Sequence, residues 1–420
     1  MNEPKLAGKP FAISKQSVVE AFRRVRENQG GPGVDNCTIE DFEADLRNRL
    51  YVTWNRMSSG SYFPPPVKLV EIPKAHGGGV RKLGVPTVGD RVAQTVAAME
   101  LEKVVEPKFH PSSYGYRPGR SALDAVAACR ERCFTHPWVL DCDIAGFFDN
   151  VPHDLIVKAV EANTDQSWVI LYVKRWLKAP VQHPDGTLQQ RDRGTPQGSA
   201  ISPLLANLFL HYAFDLWMAR EFPSLPFERY CDDFVVHCFS EKQARHVGRC
   251  IAARLGECGL RLHPEKTRIV FCPQDGRDGS HEHTSFTFLG YAFRRRAAQD
   301  ADGRVFNGFL PAVSKDAMKK MNRVVHSWRL HNWTTLSLNE LAAWVNPVVS
   351  GWLNYYGRYY RTAMRPLLRR INAYILRWVR KKYRRLRSWK RALAWWQTVV
   401  QRAPKLFTHW SWTTVAWMTG

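Results

Sequence analysis

Residues 229–236 read RYCDDFVV, and this short segment decides the fold of the chain. Two aspartates follow a tyrosine and a cysteine, and the residues beyond them are apolar or β-branched. Such residues favour strands, so the segment predicts a β-hairpin that carries Asp232 and Asp233 at its tip. An Asp-Asp pair alone is most often ordinary turn chemistry, so its function depends on the acidic residues that accompany it.

A second acidic strand lies upstream of this hairpin. Residues 139–149 read VLDCDIAGFFD, and an apolar strand there would carry Asp143. If the two strands are neighbours, Asp143 and Asp232 converge. Divalent cations such as Mg²⁺ prefer carboxylate oxygens, and two ions roughly 3.5 to 4 Å apart stabilise both the attacking and the leaving oxygen of a phosphoryl displacement. The two segments therefore predict a two-metal site.

The charge of the chain indicates a polyanionic partner. Its 420 residues include 61 Lys plus Arg against 38 Asp plus Glu, for a net charge of +23, which argues against an acidic enzyme of small molecules. Residues 294–420 hold 25 of the basic and 4 of the acidic side chains, together with 11 of the 16 tryptophans. We expect this region to bind nucleic acid, and the alternative is a set of amphipathic helices whose charged faces meet only water.

Cysteine usage and the N-terminus indicate a reduced intracellular compartment. The nine cysteines form no CxxC pair and none lies beyond Cys272, so neither a disulfide framework nor a cysteine zinc site is expected. The first residues, MNEPK, lack the apolar core of a signal peptide. The longest apolar stretch, residues 201–219, contains Asn207 and Asp215, which favours a buried helix over a membrane span. We therefore expect a cytoplasmic protein without a membrane partner.

Helices that alternate with a few short strands predict an α+β sheet backed by helices. A helix, a Gly-rich turn and a second helix are expected within residues 17–50, and Ser202 is expected to cap the helix that follows it. Predicted strands lie at residues 67–72, 138–144, 227–238 and 267–272. Predicted helices lie at residues 90–106, 154–178, 203–220 and 241–258.

Three segments together resemble the palm of reverse transcriptases: the hairpin of residues 230–233, the strand from Asp143 to Phe148 and the GTPQG segment at residues 194–198. Further blocks make the chain similar to bacterial group II intron reverse transcriptases. They read IPK at 72–74, LGVPT at 83–87, DR at 90–91, YGYRPGRS at 114–121, LLAN at 204–207, PEKT at 264–267 and FLGY at 288–291. The GWLNYYGRY segment at 351–359 resembles the maturase region of that family. The cysteine at position 231 departs from the small residue, such as alanine, that this family more often has there.

The resemblance implies a right-hand polymerase of the α+β class. It implies an N-terminal extension and fingers over residues 1–110. The palm, over residues 111–293, would contain an antiparallel sheet, backing helices and the reverse transcriptase active site. A basic α-helical thumb and maturase region that binds RNA is expected over residues 294–420.

The resemblance also implies an RNA-directed DNA polymerase that copies intron RNA by two-metal nucleotidyl transfer and promotes the splicing and mobility of its group II intron. Two alternatives stay open. One is a related, intron-independent enzyme in DNA repair or defence, and the other is a splicing cofactor with a decayed polymerase, which the retained active-site residues oppose. The expected partners are the intron RNA, an RNA template with a DNA primer, and target DNA. The chain resembles a short form without a C-terminal endonuclease, which would take its primer from another source.

The family pattern places two Mg²⁺ ions at carboxylates and one backbone carbonyl. The matching positions are Asp143, Ile144 through its carbonyl oxygen, Asp232, and Asp233 beside them. Asp141 and Asp149 are expected to be structural. Lys266 matches a lysine that can protonate the departing pyrophosphate, and the alternative is a solvated lysine.

Binding of deoxynucleoside triphosphates (dNTPs) is implied for three further side chains. Lys74 and Arg81, seven residues apart across a Gly-rich turn, would neutralise the triphosphate. Gln197 lies between Gly194 and Gly198, which allow close backbone approach. We therefore expect Gln197 to contact the nucleotide from the sheet side.

An aromatic ring is implied as the selector of the sugar. Phe148 matches the position at which a ring excludes a ribose 2′-hydroxyl in retroviral enzymes. Phe147 is the alternative, because the strand is expected to bulge near Gly146. The other of the two rings should belong to the core.

Basic residues at two places are expected to bind RNA. Arg117 and Arg120 would meet template phosphates. The helix after them begins with a capping box at Ser121 and Asp124, so a role in the turn alone is the alternative. In the thumb region, arginines recur at helical spacing and could line one helix face, with Pro366 dividing that helix. These arginines are Arg358, Arg361, Arg365 and Arg369.

Overall fold

The computed structural model describes residues 9–73, 80–300 and 302–412. It combines helices with short β-sheets, so the predicted α+β class is confirmed. The chain divides into two compact units, one formed by Met1–Ala125 with Trp138–Ile269 and the other by Val126–Pro137 with Val270–Gly420. Among the described residues, no helix is both long enough and apolar enough to cross a membrane.

The first unit starts with three helices and then alternates strands with helices. Its helices are α1 (Lys15–Asn28), α2 (Ile39–Ala44), α3 (Leu46–Ser58), α4 (Val88–Val105), α5 (Ala122–Thr135), which continues into the second unit, α6 (Phe147–Asn150), α7 (His153–Glu161), α8 (Ser167–Lys178), α9 (Ser202–Leu210), α10 (Leu216–Glu221) and α11 (Glu241–Glu257). Its strands are β1 (Val67–Pro73), β2 (Val80–Val85), β3 (Trp138–Asp143), β4 (Val181–Gln182), β5 (Leu188–Gln189), β6 (Phe227–Tyr230), β7 (Asp233–Cys238) and β8 (Arg268–Phe271), which ends in the second unit. A π-helical turn, His211–Asp215, joins α9 to α10.

The sequence predicts side-chain caps at the start of two of these helices. The predicted capping box before α5 is confirmed, because Ser121 N donates to Asp124 Oδ2 at 2.8 Å and Asp124 N donates to Ser121 Oγ at 3.2 Å. The cap predicted at Ser202 is wrong. Helix α9 begins at Ser202 itself, after Ile201, because the Ser202 hydroxyl is hydrogen-bonded to the Thr195 hydroxyl instead of to the helix backbone.

The central sheet of this unit has the strand order β6-β7-β3-β8. Strands β3 and β7 are antiparallel with Asp143 opposite Asp233, and β6 pairs with β7 so that Tyr230 also lies opposite Asp233. Apolar residues of β3 and β7 are buried: Val139, Leu140, Cys142, Phe234, Val235 and Val236. Because successive side chains point to opposite faces, both faces of these two strands are covered.

A second sheet of the first unit has the order β2-β1-β4-β5. Strands β1 and β2 are antiparallel, and Ile72 lies opposite Arg81. The sequence predicts a Gly-rich turn between them that carries Lys74. Lys74 lies outside the described residues.

The second unit continues with a small sheet and then with helices, as the sequence predicts after about Val313. The elements are β9 (Ser285–Phe288), β10 (Tyr291–Gln299), β11 (Val305–Val313), α12 (Lys315–Ser327), α13 (Leu338–Tyr356), α14 (Arg365–Lys382) and α15 (Trp389–Arg402), with the strand order β11-β10-β9. Trp378 of α14 and Trp396 of α15 are fully buried. Part of the tryptophan content of this region therefore serves its core.

The four arginines expected on one helix of the second unit do not share one. Arg358 follows the end of α13, Arg361 begins a 3-10 turn, and Arg365 begins α14. Pro366 starts a helix instead of dividing one, because its missing N–H costs nothing in the first turn and its fixed φ suits a helix start. Of the four arginines, only Arg365 and Arg369 lie on the same helix.

Candidate active site

Three carboxylates meet at one end of the central sheet. Strand β3 ends at Asp143, β7 begins with Asp233 directly opposite, and Asp232 occupies the turn that precedes β7. The two acidic strands of the sequence are thus neighbours in the fold. Lys266 joins the group, because its Nζ donates a hydrogen bond to Asp143 Oδ2 at 3.0 Å.

The turn that carries Asp232 is tight and strained. Two residues, Cys231 and Asp232, connect β6 to β7, and Cys231 has a φ of +59°, in the left-handed region. For a residue other than glycine this conformation costs on the order of 1 to 3 kcal/mol and persists only where the surroundings enforce it. Gly115 is part of those surroundings, since a Cβ at this position would approach the Cys231 nitrogen to 2.6 Å.

Burial and the charge of neighbouring carboxylates raise the pKa values of Asp232, Asp233 and the nearby Asp141. Burial raises the pKa of Asp233 well above its usual value, and the three neighbouring aspartates raise it further. Burial also raises the pKa of Asp232, and it raises the pKa of Asp141 to about 7. A site that confines this much negative charge favours cations, which would offset the repulsion.

The groups that could hold a metal ion at this site are oxygens. Just after β3, the backbone is paired with residues 261–263. The Asp143 carbonyl accepts a hydrogen bond from His263 N, and Ala145 N donates one to the Arg261 carbonyl. The Ile144 carbonyl takes no part in these two hydrogen bonds. Carboxylate and carbonyl oxygens are the ligands that Mg²⁺ prefers, so the predicted residues fit this ion.

Asp143 and Asp232 line a cleft of about 930 Å³, whereas Asp233 is not among its lining residues. Its lining includes seven residues that the sequence assigned to metal binding, nucleotide binding or proton transfer: Arg81, Asp143, Ile144, Phe148, Gln197, Asp232 and Lys266. Residues from both sheets and from the loop at 194–198 therefore surround one space. The sequence-based assignments, made from separate motifs, are brought together in this cleft.

The two candidate rings for sugar selection differ in their surroundings. Phe147 is 1% exposed and its ring packs against Phe209 in the core. Phe148 is half-buried and lines the cleft. The bulged strand expected around Gly146 is wrong, because β3 has already ended and Gly146, with a φ of +56°, leads into the short helix α6.

Backbone contacts fix the GTPQG loop beside the cleft. Gly84 N donates to Gln197 O at 2.8 Å, and Thr195 N donates to Phe148 O at 2.7 Å. Gly194 has a φ of +77°, and a Cβ there would lie 2.7 Å from Phe148 O. The glycine is therefore required by both its conformation and the close approach of two backbones.

Sequence reasoning missed a side chain that fixes the end of this loop. Gln94 of α4 accepts hydrogen bonds from Ser199 Oγ at 2.5 Å and from Ala200 N at 2.8 Å. The Gln94 amide nitrogen in turn donates to Asp90 Oδ2 at 2.9 Å. The sequence marks Asp90 only as part of a family block, and a glutamine within a helix carries no local signal of such a role.

The two arginines expected at the template differ in how much of each is available. The Arg117 side chain is 6% exposed, pairs with Glu106 at 2.8 Å, and donates to the His110 and Ser113 carbonyls. This geometry gives no support to a template contact by Arg117. Arg120 is exposed, and its guanidinium lies 5.6 Å from the centre of the Tyr114 ring.

The second unit has a basic cavity of its own. A cavity of about 380 Å³ is lined by Arg361, Arg365, Leu368, Ser411 and Trp412. The Arg361 guanidinium lies 4.9 Å from the centre of the Trp412 ring. Cationic and aromatic side chains side by side are suited to phosphates and stacked bases.

Carboxylates on a hairpin and on its neighbouring strand, in a cleft with basic and aromatic side chains, define the palm of a nucleic-acid polymerase. Residues 72–293 match the family Reverse transcriptase (RNA-dependent DNA polymerase), which is more than half of the chain, and the chain belongs to this family. Residues 318–396 match the Group II intron, maturase-specific domain. The combination is that of a group II intron reverse transcriptase and maturase, as the sequence predicts.

Three relatives have the same level of identity but different coverage. Protein YkfC of Escherichia coli is 29% identical over 329 residues, which cover 69% of this chain and 83% of that protein. The group II intron-encoded protein LtrA of Lactococcus lactis is 29% identical over 193 residues, covering 46% of this chain and 32% of that protein. The putative COX1/OXI3 intron 1 protein of Saccharomyces cerevisiae is 29% identical over 222 residues, covering 52% and 26%. The matched region thus spans about a third or less of the two intron proteins.

The family assignment confirms the predicted RNA-directed DNA polymerase and its link to group II introns. It also confirms the polymerase fold with a helical C-terminal region. The maturase domain does not favour the intron-independent alternative in repair or defence. Membership of this family implies binding of intron RNA and nucleic-acid templates, and use of divalent metal ions.

Proposed function

We propose that this chain synthesises DNA on an RNA template at the cleft, with two Mg²⁺ ions held by Asp143, Asp232 and the Ile144 carbonyl and with Asp233 beside them. The observation that carries the proposal is the pairing of the Asp143 strand with the hairpin that bears Asp232, beside a cleft with basic and aromatic side chains. When bound, the ions would neutralise the triphosphate and stabilise the oxygens that gain negative charge. The remaining chemistry belongs to side chains of the cleft.

Two basic side chains of the cleft suit a triphosphate substrate. Arg81 is an exposed residue of β2. Its positive charge acts on Asp232, because it opposes the rise in the pKa of Asp232 that burial causes. We assign Arg81, with Lys74 on the resemblance alone, to the phosphates of the dNTP. The Lys266 side chain is 60% exposed. Its Nζ would leave Asp143 and donate a proton to the departing pyrophosphate.

Phe148 and Gln197 are assigned to the nucleotide itself. Support for Phe148 as the ring that selects deoxyribose comes from its place in the cleft lining, while Phe147 is buried in the core. Gln197 lines the same cleft, and its backbone carbonyl is held by Gly84. A side chain on such a fixed loop can contact a substrate with little loss of conformational entropy.

The RNA-binding surfaces are assigned to basic side chains outside the metal site. Arg120 is proposed at the template. Arg358, Arg361, Arg365 and Arg369 are proposed to bind intron RNA, and the cavity that includes Arg361, Arg365 and Trp412 supports this assignment. Target DNA is proposed as a further partner.

We also propose a division of the chain into three regions. The fingers with the N-terminal extension would span residues 1–110, the palm residues 111–293, and the thumb with the maturase region residues 294–420. The cytoplasmic location stays a prediction.

The experiment that tests the site compares Asp232→Asn with Asp149→Asn. Asp149 lines the same cleft and is exposed, but the sequence assigns it a structural role, so both variants remove one carboxylate from one space. Extension of a DNA primer on an RNA template is measured with Mg²⁺. We expect Asp232→Asn to lose extension and Asp149→Asn to retain it. Extension by Asp232→Asn at the wild-type rate would refute the assignment.

A second arm tests whether splicing and polymerisation are separable. RNA binding does not need the metal ions of the cleft, so Asp232→Asn should still promote splicing of the cognate intron at low Mg²⁺. Splicing is measured from labelled precursor RNA, with RNA affinity determined in parallel. Loss of splicing by a variant with intact fold and RNA affinity would contradict separability, and no splicing help from the wild-type chain would favour the repair or defence alternative.

A further inference from the structure

A fully buried arginine precedes the catalytic hairpin turn. Arg229 of β6 is 0% exposed, and acceptors are available for all five N–H groups of its guanidinium. Nε and Nη2 donate to the two carboxylate oxygens of Asp215 at 2.7 and 2.5 Å, and Nη2 also donates to Ser113 Oγ at 2.8 Å. Nη1 donates to Asn207 Oδ1 at 3.0 Å and to the Cys231 carbonyl at 3.1 Å. One side chain therefore joins the helix, a loop and the turn itself.

The helical segment behind the sheet is shaped to present Asp215 to this arginine. Asn207 and Asp215 are eight residues apart, which in an α-helix would separate them by about 80° around the axis. The π-helical turn at residues 211–215 has i to i+5 hydrogen bonds and so takes more residues per turn. It rotates Asp215 back toward the face of Asn207, and both side chains reach Arg229.

The same network holds the loop that supports the turn. Asn207 Nδ2 donates to the Gly115 carbonyl at 2.6 Å. The backbone of Arg229 makes two hydrogen bonds with residues 112–114, at 2.9 and 2.8 Å. Gly115 is the residue that packs against Cys231 without room for a Cβ. The hairpin turn is thus held in two ways: Arg229 donates to the Cys231 carbonyl, and the loop at residues 112–115 packs against the turn.

We infer that Arg229, fixed by Asp215 and Asn207, is a positioning residue for the metal ligand Asp232. Its Nη1 holds the carbonyl of Cys231, whose left-handed conformation sets the direction of the peptide that leads into Asp232. Without this hydrogen bond the turn relaxes toward conformations that a cysteine prefers, and the Asp232 carboxylate moves from its place in the cleft that Asp143 also lines. The inference rests on the proposed function, which makes Asp232 a metal ligand.

A role in stability alone would not require this arrangement. Burying an arginine and a carboxylate costs desolvation, and apolar residues of similar volume are often as stable. Here Arg229 of the pair also donates to the Cys231 carbonyl in the hairpin turn and to Asn207, which in turn donates to the Gly115 carbonyl. A lysine would keep the charge opposite Asp215, but its single ammonium lacks the fork that reaches all these acceptors. Arg229→Lys therefore separates charge from geometry.

The test compares Arg229→Lys and Asn207→Ala with the wild-type chain. The alanine removes an acceptor of Arg229 and the donor to Gly115 while favouring the helix. In both variants the Mg²⁺ concentration for half-maximal primer extension should rise about tenfold, which corresponds to about 1.4 kcal/mol. The kcat should fall while the KM for template and primer stays near the wild-type value. Binding of Mn²⁺ without substrate, followed by electron paramagnetic resonance, should weaken by a similar factor.

Asn163→Ala is the matched control for loss of a buried asparagine. Asn163 is 8% exposed, donates to Ala159 O and to the Tyr212 hydroxyl at 2.8 Å each, and accepts from Lys108. Its loss should lower the melting temperature as Asn207→Ala does, since both remove buried hydrogen bonds. It should leave the affinities for Mg²⁺ and Mn²⁺ within about twofold of wild type, because none of its partners is hydrogen-bonded to Arg229, although Tyr212 lies in the π-helical turn that carries Asp215.

Wild-type metal affinity in folded Arg229→Lys or Asn207→Ala protein would overturn the inference, and so would an equal loss of metal affinity in Asn163→Ala. If Arg229→Lys does not fold, Asn207→Ala decides by the same criteria. Failure of the proposed function is distinct. If the proposed function is wrong, the wild-type chain binds Mn²⁺ through Asp232 but does not extend primers. If only the inference is wrong, the chain extends primers and its metal affinity does not change when Arg229 is substituted.

Discussion

Asp90→Asn tests how a buried carboxylate behind the cleft titrates. Asp90 is 2% exposed and accepts hydrogen bonds from the Tyr62 hydroxyl at 2.7 Å, Trp176 Nε1 at 2.8 Å and Gln94 Nε2 at 2.9 Å. Burial raises the pKa of Asp90 from 3.8 to about 6, although the three donors oppose the rise. The residue matters to the site because Gln94 holds residues 199–200 of the loop beside the cleft.

The magnitude follows from proton linkage. The Asp90 carboxyl of the folded chain keeps its proton up to about pH 6, whereas the unfolded chain releases it near pH 3.8. Between these values the unfolded state binds fewer protons, so the free energy of unfolding falls as the pH rises. At about 1.36 kcal/mol per pKa unit, this contribution is about 3 kcal/mol. It is fully present below pH 3.8 and is lost once the pH has passed about 6.

The assay is urea unfolding of the wild-type chain and of Asp90→Asn from pH 4 to pH 8, followed by tryptophan fluorescence, to which Trp176 beside Asp90 contributes. An asparagine cannot titrate, and the clash of its NH₂ with the Gln94 amide lowers stability by the same amount at every pH. The stability of wild type minus that of the variant should therefore fall by about 2.4 kcal/mol between pH 4 and pH 7, which is most of the full contribution, and then stay level. A constant difference, or one that rises with pH, would refute the argument from burial.

Three further predictions concern the cleft and the basic second unit. Phe148→Val should raise incorporation of ribonucleotides relative to deoxyribonucleotides, measured as the ratio of kcat/KM values; the same effect in Phe147→Val alone would assign sugar selection to the other ring. Gly115→Ala should slow primer extension at least about tenfold, because its Cβ would lie 2.6 Å from the Cys231 nitrogen; wild-type extension by the folded variant would contradict the packing argument. Changing Arg361, Arg365 and Arg369 together to Ala should weaken RNA binding. The slope of the logarithm of the binding constant against the logarithm of the salt concentration should become less steep by about 0.7 to 0.9 for each phosphate that the variant no longer neutralises. Filter binding across a salt series measures this, and an unchanged slope would show that these arginines do not bind phosphate.

The elements that the sequence predicts well depend on local patterns. The hairpin at residues 227–238 follows from apolar and β-branched residues around a polar turn, and the box at Ser121 follows from a spacing of three residues. Both signals are complete within a few residues of the chain. Pro366 shows the limit of such signals, because the same proline can divide a helix or begin one.

The polar network behind the hairpin could not be predicted in this way. Asn207 bonds to Gly115 across 92 residues, Gln94 to Ser199 across 105, and Arg229 to Ser113 across 116. A signal was nevertheless present. Asn207 and Asp215 interrupt the longest apolar stretch of the chain, which from the sequence alone argues only against a membrane span. Polar residues inside an apolar helix require buried partners, which is a question about the whole fold.

Arg117 shows why a motif alone does not assign a contact. It stands beside Arg120 in one block of basic residues, and the sequence predicts that both meet template phosphates. The fold gives Arg117 a carboxylate and three carbonyls as partners, while Arg120 stays exposed. Sequence cannot separate two neighbouring arginines because their difference lies in Glu106, on a segment that only the fold brings close.

Two features that oppose folding lie at the active site. Burial raises the pKa values of Asp232 and Asp233, so ionising them costs free energy in the folded state, and Cys231 holds a conformation that cysteine disfavours. A divalent ion would offset the first cost by neutralising the carboxylates, whereas the second is offset by Arg229 and by packing from the loop beneath the turn. The carboxylates that would bind metal therefore line the cleft, whereas the groups that fix the conformation of the hairpin turn lie outside the cleft lining. This separation explains why substitutions that alter no metal ligand should still change metal affinity.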